Sequence, residues 1–159
     1  MTIMRLALAG VRLTPDQKER LAERLIGEFA AVEVGNDSPA IRRGFVVVFE
    51  ELASEDVWMG DGPMTRAGTS GRAALLQTQV MAGPWTDEMK AELFARLERV
   101  IREEVDMPRP EGGADFWTTF VEVPEGAWGL GGQPVSIARL APVFSADRQA
   151  RIEEHLKSR

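Results

Sequence analysis

The sequence repeats itself. At a constant offset of 72 residues, Thr14 pairs with Thr86, Lys18 with Lys90, Leu21 with Leu93, Arg24 with Arg96 and Leu25 with Leu97. The same offset pairs Glu50 with Glu122. After a two-residue shift, Trp58-Met59-Gly60-Asp61-Gly62 faces Trp128-Gly129-Leu130-Gly131-Gly132. Identities are few, but their register runs through both copies. A period this long means one supersecondary unit used twice, each copy burying its apolar surface against the other.

Each copy reads strand, helix, strand. Residues 2–8 form a short apolar run before Gly10, and Thr14-Pro15-Asp16-Gln17 announces a helix. Thr14 suits the N-cap, Pro15 the first helical position and Gln17 the reciprocal position of a capping box. Leu21, Leu25, Ile26, Phe29 and Val32 recur on one helical face. Asn36 to Pro39 mark a loop, and Phe45 to Phe49 is β-branched and aromatic, as in a buried strand. A turn-rich segment from Gly60 to Pro63 closes the copy. The second copy follows with a strand from Ala74 and a Gly83-Pro84 turn. A helix capped by Thr86 carries Met89, Leu93, Leu97, Val100 and Ile101, and a strand spans Phe116–Val123. Met107-Pro108-Arg109-Pro110 and Gly112-Gly113 read as the loop between helix and strand. A helix of roughly 18 residues is about 27 Å long, which matches an eight-residue strand and allows a right-handed crossover. One fused domain, 1–159, is therefore expected. Its units cover about 2–65 and 74–135, and 136–159 form a C-terminal extension with a short helix after Ser145.

Composition removes several kinds of chemistry. Without Cys there is no thiol nucleophile or thiolate metal site, and the single His, His155, lies close to the end of the sequence. Ser-His-Asp catalysis and His-based zinc sites are not expected, and neither a metal nor a cofactor is implied. The chain carries 25 acidic and 19 basic residues, a formal charge of −6, and no run of four cations. This speaks against a nucleic-acid or anionic membrane surface. No stretch approaches the length of a membrane span, and the first residues lack the pattern of a signal peptide, so a cytoplasmic protein is expected.

The duplicated unit, ending in an aromatic-Gly-Leu-Gly-Gly hairpin, resembles the tautomerase superfamily, whose type member is 4-oxalocrotonate tautomerase. The residues that carry the likeness are Arg12-Leu13-Thr14-Pro15-Asp16-Gln17-Lys18, Glu122-Val123-Pro124 and Trp128-Gly129-Leu130-Gly131-Gly132. The resemblance implies an α+β two-layer sandwich: tandem β-α-β units forming a four-stranded sheet with two helices on one face. It also implies a homotrimer of fused chains and an active site at the start of the first strand. The order β-α-β-β-α-β equally fits a ferredoxin-like domain.

The chemistry that the resemblance implies rests on an amino-terminal proline acting as base. The matching position here is Thr2, whose amine is free only when Met1 is removed; in the second half it is Ala74, which is internal. A primary α-amine has an unperturbed pKa near 7.7–8.0 and can still move a proton after modest desolvation. Arg12 matches the family's first substrate-binding arginine. The second falls on Phe45 and Trp117, so Arg42 and Arg43 are the candidates for a displaced carboxylate site. Trp58 and Trp128 stand where the family places an aromatic wall, and Glu50 and Glu122 are candidate acids or bases at equivalent strand ends. The expected activity is amine-assisted proton transfer on a small planar keto/enol or unsaturated carboxylic acid, altered or weakened by the missing proline. The alternatives are a non-catalytic ligand-binding or structural relative of the same fold, and a ferredoxin-like cofactor-independent monooxygenase.

Overall fold

A computed structural model describes residues 1–60, 62–64, 71–109 and 115–157. Asp61 of the first turn, and Pro110, Gly112 and Gly113 of the second loop, lie outside the described residues. In chain order the first half contains strand β1 (Thr2–Ala9), helix α1 (Pro15–Glu33), the single turn α2 (Pro39–Arg42) and strand β2 (Phe45–Leu52). A two-strand hairpin, β3 (Trp58–Met59) and β4 (Gly62–Pro63), completes it. The second half repeats this with β5 (Ala73–Met81), α3 (Asp87–Val105), β6 (Phe116–Val123) and the hairpin β7 (Gly129–Leu130) and β8 (Gln133–Pro134). A short helix α4 (Ile137–Leu140) and a last helix α5 (Ala146–Lys157) follow.

Local chemistry accounts for these boundaries. Thr14 Oγ1 accepts from Gln17 N–H while Gln17 returns a bond to Thr14 N–H, so the predicted capping box is present. Thr86 accepts from Met89 N–H in the same way. The two long helices have 19 residues each and are related by the offset of 72, and both bury their apolar stripe against one face of the sheet. Arg24 reaches Glu104 at 2.9 Å and also pairs with Glu103, and its repeat equivalent Arg96 reaches back to Glu28 at 2.7 Å, so α1 and α3 are bridged in both directions.

The sheet runs β2-β1-β5-β6. β1 pairs parallel with β2, β5 pairs parallel with β6, and the two halves meet antiparallel along β1 and β5. Each unit thus pairs its own two strands directly. This excludes the ferredoxin-like arrangement, in which the two strands of each unit are separated by another strand, and the monooxygenase alternative built on it falls as well.

Strand parity corrects one expectation. The second-half strand β6 is displaced from β2 by 71 residues, not 72, so Glu122 opposite Val80 corresponds to Glu51 opposite Leu8, and not to Glu50. Side chains alternate between sheet faces. Glu51 and Glu122 therefore point to the helices, where Lys18 and Lys90 meet them at 2.8 Å each. Glu50 lies on the opposite face and pairs with Arg5. The strand from Phe45 is also less enclosed than its composition suggests. It is an outer strand with one face covered, and Val46 and Val48 are exposed on the other.

Candidate functional site

The amino-terminal end of β1 is where the chain concentrates unusual burial. Thr2 is fully enclosed, and its peptide N–H donates to Gly44 O at 3.0 Å. Thr2 Oγ1 donates to Glu33 Oε2 at 2.9 Å, in the last turn of α1. Leu21, Leu25 and Phe29 occupy every fourth position of the buried stripe, and Glu33 is the next in that series. A carboxyl group is thus carried into the interior by helical periodicity. Burial pushes its pKa up from the usual carboxylate range, while the Met1 ammonium and the Thr2 hydroxyl act in the opposite direction.

Two cavities flank the Met1–Glu33 pair. The inner one is lined by Met1, Glu33, Met81, Trp85, Ile137 and Ile152 among others, and has about 20 Å³ free, room for one water. The other is an open cleft of about 230 Å³ whose walls include Met1, Glu33, Arg43, Phe45 and Leu130. Leu140 and Phe144 of the C-terminal segment line both. That segment covers the end of β1: Ile137 and Ile152 are buried with Met81, Trp128 and Val135, and Met1 and Ile3 pack against them.

The predicted residues separate into groups. Met1, Thr2 and Arg43 converge on Glu33 and the cleft, with Arg43 exposed at its rim. Trp128 is 8% exposed and belongs to the cluster beneath the C-terminal segment, whereas Trp58 is 67% exposed on the first hairpin, so the two are not interchangeable. Arg42 is engaged by Asp37 through two bonds of 2.7 Å. Arg12 follows the far end of β1, about seven strand residues and roughly 23 Å from Thr2 at 3.3 Å per residue. Its solvated side chain lies 3.7 Å from Glu51. Glu50, level with Ala7, is held by Arg5 away from the Met1 end, whereas Glu122 stands level with Thr2 two strands across the sheet and is held by Lys90. Sequence reasoning missed Glu33; its signal was an acidic residue on the apolar stripe. Among the described residues no group of three His, Asp or Glu side chains is placed to hold a metal ion, and no helix is long and apolar enough to cross a membrane.

No protein-family model matches the sequence, and no curated protein matches it. Solved structures do. The symmetric trimer of a wild-type fused 4-OT aligns with a TM-score of 0.64 at 20% identity, over 87% of this chain and 98% of that one. Pt0534 inactivated by 2-oxo-3-pentynoate gives a TM-score of 0.63 at 17% identity, over 87% and 98%. Macrophage migration inhibitory factor of Toxoplasma gondii gives 0.63 at 16% identity, over 84% and 99%. The chain therefore has the fold of the tautomerase superfamily, in its fused form of two tandem β-α-β units.

Proposed function

We propose that the chain binds a small planar keto/enol or unsaturated carboxylic acid in the cleft beside Met1 and moves a proton on it with help from the terminal amine. The observation that carries this reading is the cleft itself. It opens at the start of β1, has about 230 Å³ of space, and combines an exposed Arg43 with the Met1 end and apolar walls. A guanidinium recognises a carboxylate by charge-assisted hydrogen bonds, and apolar walls keep water from the reacting atoms. Pt0534, a protein of the same fold, is inactivated by 2-oxo-3-pentynoate, itself a small 2-oxo acid. With Thr2 in place of the family's proline, and its nitrogen tied into a peptide bonded to Gly44, the base is altered and turnover is slow. Tautomerisation of phenylpyruvate and 2-hydroxymuconate by the purified chain, followed by absorbance, tests the reading. Absence of both turnover and any tryptophan-fluorescence response to keto acids sinks it.

The chain works as a homotrimer on this reading. Val46, Val48, Leu75 and Val121 are exposed on the sheet face away from the helices, an apolar surface of the kind that subunits cover. Sedimentation equilibrium should give three times 17.6 kDa; a stable monomer at micromolar concentration overturns it. One observation favours a second reading, a ligand-binding relative without catalysis: Thr2 is fully enclosed beneath the C-terminal segment. Keto-acid binding without turnover distinguishes it.

A further inference from the structure

The repeat supplies an internal control for the Met1 end. Thr2 N–H donates to Gly44 O, and its equivalent Ala74 N–H donates to Asp115 O at 2.8 Å, so the two strand starts are held alike. Behind Thr2 stands Glu33; behind Ala74, at the same offset of 72, stands Val105, 6% exposed. The fold therefore fills this position with an Ala–Val pair where no chain terminus is nearby. Among the described residues the other enclosed carboxyl group, Asp115 at 2% exposure, is held by the Arg102 guanidinium at 2.6 Å, whereas the group that holds Glu33 is the Thr2 hydroxyl. An apolar pair is sufficient for packing, and a buried carboxylate is costly to desolvate. Glu33 is thus not explained by the architecture.

We infer that Glu33 is a catalytic residue, the proton acceptor and donor that works with the Met1 amine on a keto acid held in the cleft. This rests on the function proposed above. In the ketone-to-enol direction, Glu33 carboxylate takes the proton from the carbon next to the carbonyl, and the C–H electron pair becomes the enol double bond. The Met1 ammonium protonates the carbonyl oxygen. Glu33 is then neutral and Met1 an uncharged amine, and transfer of the proton from the acid to the amine restores both. Proton, charge and electron pair balance without a cofactor. Thr2 Oγ1, donating to Oε2 at 2.9 Å, leaves Oε1 as the oxygen free of that bond.

The test is exchange of the α-carbon protons of 2-oxobutanoate for deuterium in heavy water, read by proton NMR, with binding followed separately by tryptophan fluorescence. The full chain should bind and exchange. Glu33→Gln should still bind but exchange more slowly by about 100-fold or more, the scale of a lost general acid–base group. Equal exchange in wild type and Glu33→Gln overturns the role of Glu33 and leaves the proposed function standing. No exchange in wild type overturns that function, and the role of Glu33 with it. Should Glu33→Gln misfold, Thr2→Val is the second variant. It keeps the carboxyl but removes a hydrogen bond to its charged form, so the acidic limb of the pH–rate profile should move to higher pH. The charged groups that line the same two cavities as Glu33 are Met1, Arg43 at the cleft and Arg148 from α5, and the two guanidinium groups stay charged throughout. An unmoved limb overturns the inference.

Discussion

Thr2 Oγ1 lies 2.9 Å from Glu33 Oε2, and this buried polar pair has an apolar counterpart, Ala74 and Val105, at the matching place in the second half of the same chain. Transplanting the second-half solution gives the variant Thr2→Ala/Glu33→Val. It should fold and be more stable than wild type at neutral pH by about 1–4 kcal/mol, the range found when buried ionic groups are replaced by well-packed apolar ones. The sign with pH follows from the raised carboxyl pKa. A group that binds its proton more tightly when folded contributes stability below its unfolded value, near 4.5, and that stability is lost as pH rises through the folded value. The melting-temperature gap between variant and wild type should therefore be widest at neutral and alkaline pH and close below about 4.5. A gap that widens on acidification refutes the argument.

The two cations that compete for the substrate carboxylate are separated by the length of β1. Arg43→Ala should weaken keto-acid binding by about 1.5–3 kcal/mol, the scale of a hydrogen bond to a charged group, and by less at high salt. Arg12→Ala should leave affinity unchanged within one chain. Equal losses in both variants, measured by fluorescence titration, would mean that a neighbouring copy brings its Arg12 to the cleft.

Glu51 has a lowered pKa, chiefly through the Lys18 ammonium and also through Leu13 N–H, which donates to it at 3.3 Å. A carboxylate that is more acidic when folded contributes stability above its unfolded pKa and loses it as pH falls through the folded value. Glu51→Gln should therefore lower the melting temperature at pH 7, with the deficit shrinking on acidification. Glu50→Gln, on the open face with Arg5, should change it little. Thermal scans across pH compare the pair directly.

The two hairpin tryptophans should behave oppositely. Trp128→Ala removes a buried ring from the cluster with Ile137 and Ile152 and should cost about 3–5 kcal/mol in urea unfolding. Trp58→Ala, at an exposed hairpin, should stay within about 0.5 kcal/mol.

The architecture was legible because it rests on short-range signals used twice. The capping box at Thr14, the cap at Thr86 and two apolar stripes at one offset require a pair of strand-helix-strand units. Pairing order was not legible. Both the observed order and the ferredoxin-like one bury the same stripes, and only the hydrogen-bond ladder between β1 and β2 separates them. Register slipped for a related reason. The loop between helix and strand is shorter by one residue in the second half, and a one-residue slip moves a side chain to the other face. At the constant offset of 72 Glu50 falls on Glu122, whereas the strand ladder matches Glu122 to Glu51. At the site, Met1 and Thr2 followed from the resemblance, but Glu33 did not, because a single acidic residue at the end of a stripe reads as a frayed helix terminus. Its significance emerges only when the C-terminal segment is seen to close over it.

Joining two units into one polypeptide places two equivalent strand starts, those of β1 and β5, in a single chain. The start at Ala74 is internal to the sequence, and its N–H donates to Asp115 O. Duplication thus relieved one copy of any chemistry that depends on a terminus. It left an apolar Ala–Val lining there, on which substitutions can accumulate with consequences for folding alone. The copy at Met1 carries the opposite obligation. An engineer seeking a second reaction in this chain would begin at Ala74, where the scaffold is already built and nothing is yet asked of it.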